Sequence, residues 1–133
     1  MTRTYDHDIE VRYRDLDPRK HVNHAVYVSY LEQAKCAFFL DVLDTSLAEA
    51  TTAVRALEVD YRAPIHPDRS VRVSLGPIAT GETSYTIDYE IRDEDDLVAT
   101  AETVSVLLDE EGTPRPLPDV WREALAPYAS GTS

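Results

Sequence analysis

The spacing of apolar residues changes along the chain and predicts two kinds of secondary structure. In residues 7–14, Ile9, Val11 and Tyr13 alternate with polar residues, which is the period of a half-buried strand. Between residues 24 and 40, apolar side chains recur at steps of three and four, which predicts a helix with a broad apolar face. That face contains Val26, Tyr30, Leu31, Ala34, Ala37 and Phe38, and the partly polar opposite face contains Ser29, Glu32, Gln33 and Lys35.

Alternation returns after this helix and continues through four more predicted strands. They cover residues 53–63, 70–79, 83–92 and 97–108, with Pro and Gly residues in the turns. Beyond them, Asp119 is placed to cap a short helix that runs to residue 128. In the first of the four strands we expect one face to be formed by Ala53, Arg55, Leu57, Val59 and Tyr61.

This order of elements predicts an α+β fold: a strand, a long helix, four strands and a short C-terminal helix. A helix of about 17 residues is roughly 25 Å long, so it can cover the apolar face of one antiparallel sheet. The chain contains no repeat and no long linker. We therefore expect residues 1–133 to form a single domain, with residues 129–133 as a flexible tail.

Composition narrows the class of protein. The chain has 25 acidic and 13 basic residues, a formal net charge of −12, and 43% hydrophobic residues, which indicates a globular protein with a core. The acidity argues against nucleic acids and anionic membranes as partners. Only Lys20 and Lys35 are lysines, which predicts a surface suited to high salt, with folding and activity that rise with salt. An ordinary acidic protein is the alternative.

The single cysteine, Cys36, cannot form an intramolecular disulfide, and no second thiol is present for a metal site. No window of 18 apolar residues occurs, and residues 1–8 lack the apolar segment of a signal peptide. These features predict a cytoplasmic protein without a bound metal.

Polar side chains that could carry chemistry concentrate where the first strand leads into the helix. They are Asp15, Asp17, His21, Asn23, His24 and Tyr27. A helix start offers free backbone N–H groups and the positive end of the helix dipole, which stabilise an oxyanion. A carboxylate one loop away, Asp17, can attack a carbonyl carbon or deprotonate water. The segment therefore predicts a site for attack on a carbonyl group.

Each of these residues also has a structural interpretation. Asp17 can be a turn residue, and Asn23 is a preferred N-cap. His21 can support the loop, and the side chain of His24 can be either a participant or a wall of the pocket. Tyr27 can line a substrate pocket or fill space under an enclosed helix. The residue pattern alone leaves these alternatives open.

The segment Asp15-Leu16-Asp17-Pro18-Arg19-Lys20-His21-Val22-Asn23-His24-Ala25-Val26-Tyr27 resembles the active-site segment of hotdog-fold acyl-CoA thioesterases of the 4-hydroxybenzoyl-CoA thioesterase type. That family has an Asp-x-Asp strand end, a short loop and a Tyr ten residues after the second Asp. Tyr61-Arg62-Ala63-Pro64 followed by Asp68 is similar to its second-strand signature, although Pro67 replaces the usual Gly. Leu97-Val98-Ala99 and Arg115-Pro116-Leu117-Pro118 resemble its last strand and exit.

The resemblance implies a hotdog fold, a sheet wrapped around one helix, and hydrolysis of an acyl-CoA to a free acid and CoA. It implies Asp17 as nucleophile or general base and the backbone N–H near His24 as the group that polarises the thioester carbonyl. Asn23, Tyr27 and His21 would contact the substrate. Water would be the only co-reactant, with no metal and no cofactor.

The family also pairs two copies edge to edge, which implies a homodimer or a homotetramer with sites at the interface. The phosphates of CoA need cations, and the candidates are Arg62, Arg69 and Arg72, with Arg19 and Lys20 in addition. The alternative function is a non-catalytic hotdog protein that binds acyl thioesters.

Other enzymes fit the spacing less well. Hotdog hydratases carry a His five residues after an Asp, whereas His21 lies four residues after Asp17 and six after Asp15. The Gly-x-Ser-x-Gly motif of serine hydrolases is absent. With four glycines in the chain, no phosphate-binding Gly-rich loop is present.

Overall fold

The computed structural model describes residues 3–46, 49–67 and 69–129. Its elements are β1 (Tyr5–Glu10), a 3-10 turn (Tyr13–Asp15), α1 (His24–Val42), β2 (Thr52–Tyr61), β3 (Ser70–Thr80), β4 (Ser84–Asp93), β5 (Asp96–Leu107), α2 (Asp119–Leu125) and a second 3-10 turn (Ala126–Tyr128). This is the predicted order of elements. Asp68 and residues 130–133 of the predicted tail lie outside the described residues.

The five strands form one antiparallel sheet in the order β1-β3-β4-β5-β2. Alternate residues of each strand face opposite sides of a sheet, and β4 follows this rule along its whole length. Tyr85, Ile87, Tyr89 and Ile91 are buried, while the residues between them are half-buried. The buried side of the sheet packs on α1. The hotdog architecture expected from the resemblance is confirmed.

The long helix buries more than its predicted apolar face. Tyr30, Ala34 and Phe38 are almost fully buried, as predicted. Lys35, placed on the polar face by the sequence pattern, is only 2% exposed, so that prediction is wrong. The reason is the spacing: Lys35 lies one helical turn from both Leu31 and Phe39, which are core residues. A long lysine stem can pack among apolar side chains at such a position.

The first strand is shorter than predicted. It ends at Glu10, and the chain turns through a 3-10 helix in which Tyr13 is 92% exposed. The expectation that Tyr13 continues the inward face of the strand is therefore wrong. The physical reason is Asp15, whose carboxylate accepts a hydrogen bond from the amide of Arg12 at 2.9 Å and so favours a turn over an extended strand.

A β-bulge in β2 changes which residues share a face. The pairing with β5 shifts between Val54 and Ala56, which leaves Arg55 as the extra residue. Leu57, Val59 and Tyr61 lie on the inner face as predicted, because they pair with inward residues of β5, but Ala53 and Arg55 do not. The inward set of β2 is instead Thr52, Val54, Leu57, Val59 and Tyr61.

The strand β2 is an edge strand with exposed apolar side chains. Val54 is 52% exposed, and Leu57 and Tyr61 are each 44% exposed. An edge with unpaired backbone groups and an apolar face favours pairing with another strand.

The outer face of the sheet is acidic across three neighbouring strands. Glu58 of β2 pairs with Glu102 of β5, which pairs with Asp88 of β4. Residues that pair directly across antiparallel strands have Cβ atoms about 4.5–5.5 Å apart, and like charges at that separation destabilise the sheet. The net charge of −12 is therefore partly concentrated in one row on this outer face.

The C-terminal helix closes one end of the core. Trp121, Leu125 and Tyr128 are buried there. The expectation that Asp119 caps this helix is wrong, because the N-cap is Pro118 and Asp119 is the first helical residue. Its carboxylate still lies in the first turn, where the helix dipole favours a negative charge.

Candidate active site

The polar segment before α1 folds as a small β-hairpin. The amide of Asn23 donates to the carbonyl of Asp15 (2.9 Å), and the amide of Asp17 donates to the carbonyl of His21 (2.8 Å). The amide of Lys20 donates back to the carbonyl of Asp17 (2.8 Å), which closes a three-residue loop. Residues paired across a hairpin direct their side chains to the same side. The local backbone thus gathers four of the predicted site residues on one face.

The opposite face of the hairpin anchors it to the core. Leu16 and Val22 pair across the hairpin, and Val22 is 4% exposed. The amide of Val22 also donates to the carbonyl of Ile65 at 3.0 Å. The hairpin is therefore held by apolar packing on one side and by the segment after β2 at its end.

Asp15 connects this hairpin to the long helix. One of its carboxylate oxygens, Oδ2, accepts a 2.7 Å hydrogen bond from the hydroxyl of Tyr30 as well as the bond from the Arg12 amide. These bonds make Asp15 a structural support of the turn. A charge-assisted bond of this kind fixes the hairpin against α1.

Asp17 is held by its own loop. Its Oδ1 accepts from the amides of Arg19 (2.8 Å) and His21 (3.4 Å), and its Oδ2 pairs with the Arg19 guanidinium at 3.2 Å. The Asp17 side chain is 9% exposed and the Arg19 side chain 82%. Burial raises the pKa of Asp17, but the hydrogen bonds from Arg19 and His21 and the charge of Arg19 outweigh it, so the pKa lies below its ordinary value. Asp17 is an ionised, oriented carboxylate.

The start of α1 lies at the end of the hairpin. Asn23 is the N-cap: its Oδ1 accepts from the Ala25 amide at 2.9 Å, and its carbonyl accepts from the Val26 amide at 2.9 Å. His24 is the first helical residue and is exposed. Its amide has no acceptor within the helix and lies at the positive end of the dipole. The N-cap interpretation of Asn23 agrees with these contacts.

Two tyrosines close the helix start against the end of β2. Tyr27 is buried, and its hydroxyl donates to the carbonyl of Ala63 at 3.1 Å. The hydroxyl of Tyr61 donates to the carbonyl of His24 at 2.7 Å. The ring of Tyr61 lies edge-on to Tyr27, with 5.0 Å between centroids, and to His24, with 6.2 Å. These contacts fix the first turn of α1.

His21 contacts its neighbours through both its backbone and its imidazole ring. Its amide and carbonyl both bond to Asp17, while its half-buried ring lies edge-on to His66 with 5.1 Å between centroids. The hairpin therefore also contacts the segment after β2 through these two rings.

A surface cavity of about 560 Å³ opens beside Asp17. This volume is within the range of small-molecule sites. It is lined by Val11, Arg12, Tyr13, Leu16, Asp17, Pro18, Lys20 and Pro67. The exposed Tyr13 and two basic side chains thus share one cavity with the candidate catalytic carboxylate.

The three arginines considered for CoA phosphates are each engaged in an ion pair. Arg62 pairs with Asp60 at 3.2 Å, Arg69 with Glu94 at 3.2 Å, and Arg72 with Asp8 at 2.8 Å. Each of them already has a carboxylate partner on the surface.

Sequence reasoning missed two contacts that shape the site. The bond from Tyr30 to Asp15 and the bond from Tyr61 to His24 join residues 15 and 37 positions apart. The inward alternation of β2 and the apolar face of α1 placed both tyrosines near the core, but neither pattern identifies a hydrogen-bond partner.

Comparison with known proteins agrees with this geometry. A family model described as the thioesterase-like superfamily matches residues 11–125. No curated protein matches the chain significantly. Among the described residues, no helix is long and apolar enough to cross a membrane.

Solved structures share the fold over nearly the whole chain. A thioesterase from Thermus thermophilus, complexed with coenzyme A and Zn, is 34% identical, covers 90% of this chain and 90% of its own, and has a TM-score of 0.83. A predicted thioesterase from Bacillus stearothermophilus is 26% identical, covers 98% and 100%, and has a TM-score of 0.87. A 1,4-dihydroxy-2-naphthoyl-CoA thioesterase from Synechocystis, 23% identical, covers 92% and 96% with a TM-score of 0.83, a likeness of fold.

The family match includes the hairpin, the start of α1 and all of β2 to β5, so it covers the candidate site as well as the fold. The chain belongs to the thioesterase-like superfamily and is a thioester hydrolase of the hotdog fold.

Proposed function

We propose that this protein hydrolyses an acyl-CoA thioester to a free carboxylic acid and CoA, with Asp17 as the catalytic carboxylate. The observation that carries the proposal is the state of Asp17: ionised, 9% exposed, held by two backbone amides and open to a cavity of about 560 Å³. The coenzyme A complex of the Thermus thermophilus thioesterase supports CoA as the thiol part of the substrate.

Asp17 can act in either of two balanced sequences. As a nucleophile, its oxygen bonds to the thioester carbon, the C–S bond breaks, and CoA leaves as a thiolate that takes up a proton. Water then hydrolyses the resulting anhydride to the acid and regenerates Asp17. As a general base, Asp17 takes a proton from water while the water oxygen attacks the same carbon, and that proton passes to the leaving thiolate.

In both sequences the carbonyl oxygen becomes negatively charged. The N–H of His24 at the start of α1 would stabilise it, a contribution of about 2.7–4 kcal/mol for one such donor. Because the Asn23 Oδ1 is bonded to the Ala25 amide, its Nδ2 is the group left for the substrate. His21 would position Asp17 through its backbone, and Tyr27 would close the acyl side of the site from within the core.

We also propose that the active form is a homodimer that pairs through β2, and that two such dimers can join as a tetramer. The exposed side chains of Val54, Leu57 and Tyr61 on this edge strand support the dimer. Tyr61 bonds to His24, so a partner seated on β2 would lie next to the start of α1.

The decisive experiment measures thiol release from a panel of acyl-CoAs by wild type, Asp17→Asn and Asp88→Asn. Asp88 lies on the outer face of the sheet, so Asp88→Asn is a control that removes one carboxylate away from the candidate site. We expect Asp17→Asn to lower kcat by about 10²–10⁴-fold, the value of a positioned base, and Asp88→Asn to retain full activity.

Two outcomes would contradict the proposal. If wild type releases no CoA from any substrate yet binds acyl-CoA, the protein is a non-catalytic acyl-thioester-binding member of the fold. If Asp17→Asn is as fast as wild type, the reaction stands but its catalytic carboxylate lies elsewhere.

A further inference from the structure

Two basic side chains line the cavity beside Asp17. Arg12 and Lys20 line it, and neither forms an ion pair with another residue of the described ranges 3–46, 49–67 and 69–129. Arg62, Arg69 and Arg72, by contrast, are each paired with a carboxylate. Two cations without a described partner, in a chain of net charge −12, form a local site for an anion.

Lys20 occupies an unfavourable backbone position. The hairpin loop runs Pro18-Arg19-Lys20, and Lys20 has φ 63°, in the left-handed region that a non-glycine residue adopts uncommonly. In a three-residue hairpin loop this position favours glycine. A lysine here strains the loop that holds Asp17, and its side chain is directed to the cavity rather than to the core.

Tyr13 adds an aromatic surface to the same cavity. Its side chain is 92% exposed, although large aromatic residues are usually at least partly buried. An exposed aromatic ring beside cations fits a ligand that combines a planar base with phosphates, because bases stack on aromatic faces and phosphates bind Arg and Lys.

We propose that Arg12, Tyr13 and Lys20 form the site for the nucleotide end of the CoA thioester, with the adenine against Tyr13 and the phosphates on Arg12 and Lys20. This proposal rests on the proposed function, because it assigns one end of its substrate. The flexible pantetheine arm then leads from this outer wall of the cavity to the thioester at Asp17. Arg62, Arg69 and Arg72 remain in their surface ion pairs.

The test compares an acyl-CoA with the matching acyl-pantetheine, which has the same thioester but neither base nor phosphates. Wild type should have the lower KM for acyl-CoA. Lys20→Gly and Arg12→Gln should each raise that KM about 2- to 5-fold, the effect of one exposed charge pair, and Tyr13→Ala about 5-fold or more. The KM for acyl-pantetheine and the kcat for both substrates should not change.

Controls separate binding from folding and from overall charge. Lys20→Gly relieves the backbone at φ 63°, so the variant should fold at least as well as wild type. Asp44→Gly makes the same backbone change at φ 52° away from the cavity. Arg115→Gln removes one exposed positive charge from outside the cavity. Neither control should change either KM.

Three outcomes would overturn the inference while hydrolysis stands. They are a KM that shifts equally for both substrates, a KM that does not shift in any cavity variant, and a KM that shifts by the same factor in Arg115→Gln. If no thioester is hydrolysed, the proposed function fails, and calorimetry with adenosine 3′,5′-bisphosphate decides the inference separately. Binding by wild type that weakens in Lys20→Gly and Arg12→Gln supports the site. Absence of binding by wild type, or equal binding by these variants, refutes it.

Discussion

Replacing Lys35 by methionine should stabilise the fold at neutral pH. Lys35 is 2% exposed, and its Nζ donates one hydrogen bond, to the Ser105 hydroxyl at 3.2 Å. The rings of Phe39 and Tyr85 lie 5.9 and 5.5 Å from the nitrogen. Burial lowers the pKa of Lys35 below the ordinary lysine value, against the opposing negative charge of Glu32.

The magnitude follows from opposing effects. Burying one ammonium group costs several kcal/mol after relaxation. One hydrogen bond from a charged group returns about 1.5–3 kcal/mol, and two aromatic contacts return about 1 kcal/mol each. Methionine keeps the length of the side chain and packs well on aromatic rings. The Ser105 hydroxyl can turn to the Tyr85 hydroxyl, which lies beside it without a well-formed bond. We expect Lys35→Met to gain about 1–3 kcal/mol at pH 7.

Urea unfolding of both proteins at pH 7, 8.5 and 9.5 measures this gain. Because the pKa of Lys35 is lower in the folded state, the unfolded chain binds more protons, and this contribution to wild-type stability rises with pH until the ordinary lysine pKa, about 10.4. The advantage of Lys35→Met should therefore shrink as pH rises. The buried tyrosines titrate in both proteins, so their effect cancels in the difference.

Lys35→Ala is the matched control, since it removes the charge but leaves a cavity and should be less stable than Lys35→Met. A loss of stability in Lys35→Met, with a difference that does not change with pH, would refute the claim that burial lowers the pKa of this amine.

Three further predictions concern the site, the outer face of the sheet and its edge. Because the pKa of Asp17 is lowered, its carboxylate should stay ionised and kcat/KM should stay constant between pH 8 and pH 5. A clear fall of kcat/KM within this range would contradict the ionised Asp17 as the group on which activity depends. Thermal stability should rise with KCl, because salt screens the repulsion within the Glu58–Glu102–Asp88 row. Glu102→Gln should raise the free energy of unfolding by about 0.5 kcal/mol in dilute buffer and make it depend less on salt. If wild type is most stable in dilute buffer, the high-salt explanation of the acidity is wrong. If the proposed dimer pairs through β2, wild type should sediment as a dimer and Leu57→Lys on this exposed edge as a monomer; an unchanged sedimentation coefficient would exclude β2 as the interface.

Elements encoded by local periodicity were predictable from the sequence. The alternation in β4 is kept along the whole strand, and the three- and four-residue steps in α1 correctly place Tyr30, Leu31, Ala34 and Phe38 in the core, because each pattern reflects one face buried on one core. The bulge at Arg55 was not predictable, since an extra residue in one strand depends on the pairing with β5. Once it is inserted, the faces predicted for Ala53 and Arg55 are reversed.

The candidate site likewise contains features that were predictable from the sequence and features that were not. The grouping of Asp17, His21 and Asn23 is local, and turn and cap chemistry made it visible in the sequence. The burial of Lys35 was hidden, because its hydrogen-bond partner, Ser105, lies 70 residues away on another strand. Hydropathy assigns a lysine to the surface by default, and only tertiary contacts reverse that assignment.

The hairpin before α1 separates positions that maintain the fold from positions that can diversify. Its frame is closed by backbone hydrogen bonds at Asp15, Asp17 and His21 and by the burial of Val22. The tip, residues 18–20, projects into solvent. Within the tip, the guanidinium of Arg19 pairs with Asp17, whereas the side chain of Lys20 has no contact with that carboxylate, so Lys20 can change without loss of the carboxylate's orientation. Over evolutionary time, a descendant could change which thioester carrier it accepts by altering Arg12, Tyr13 and Lys20 and leaving its reaction intact.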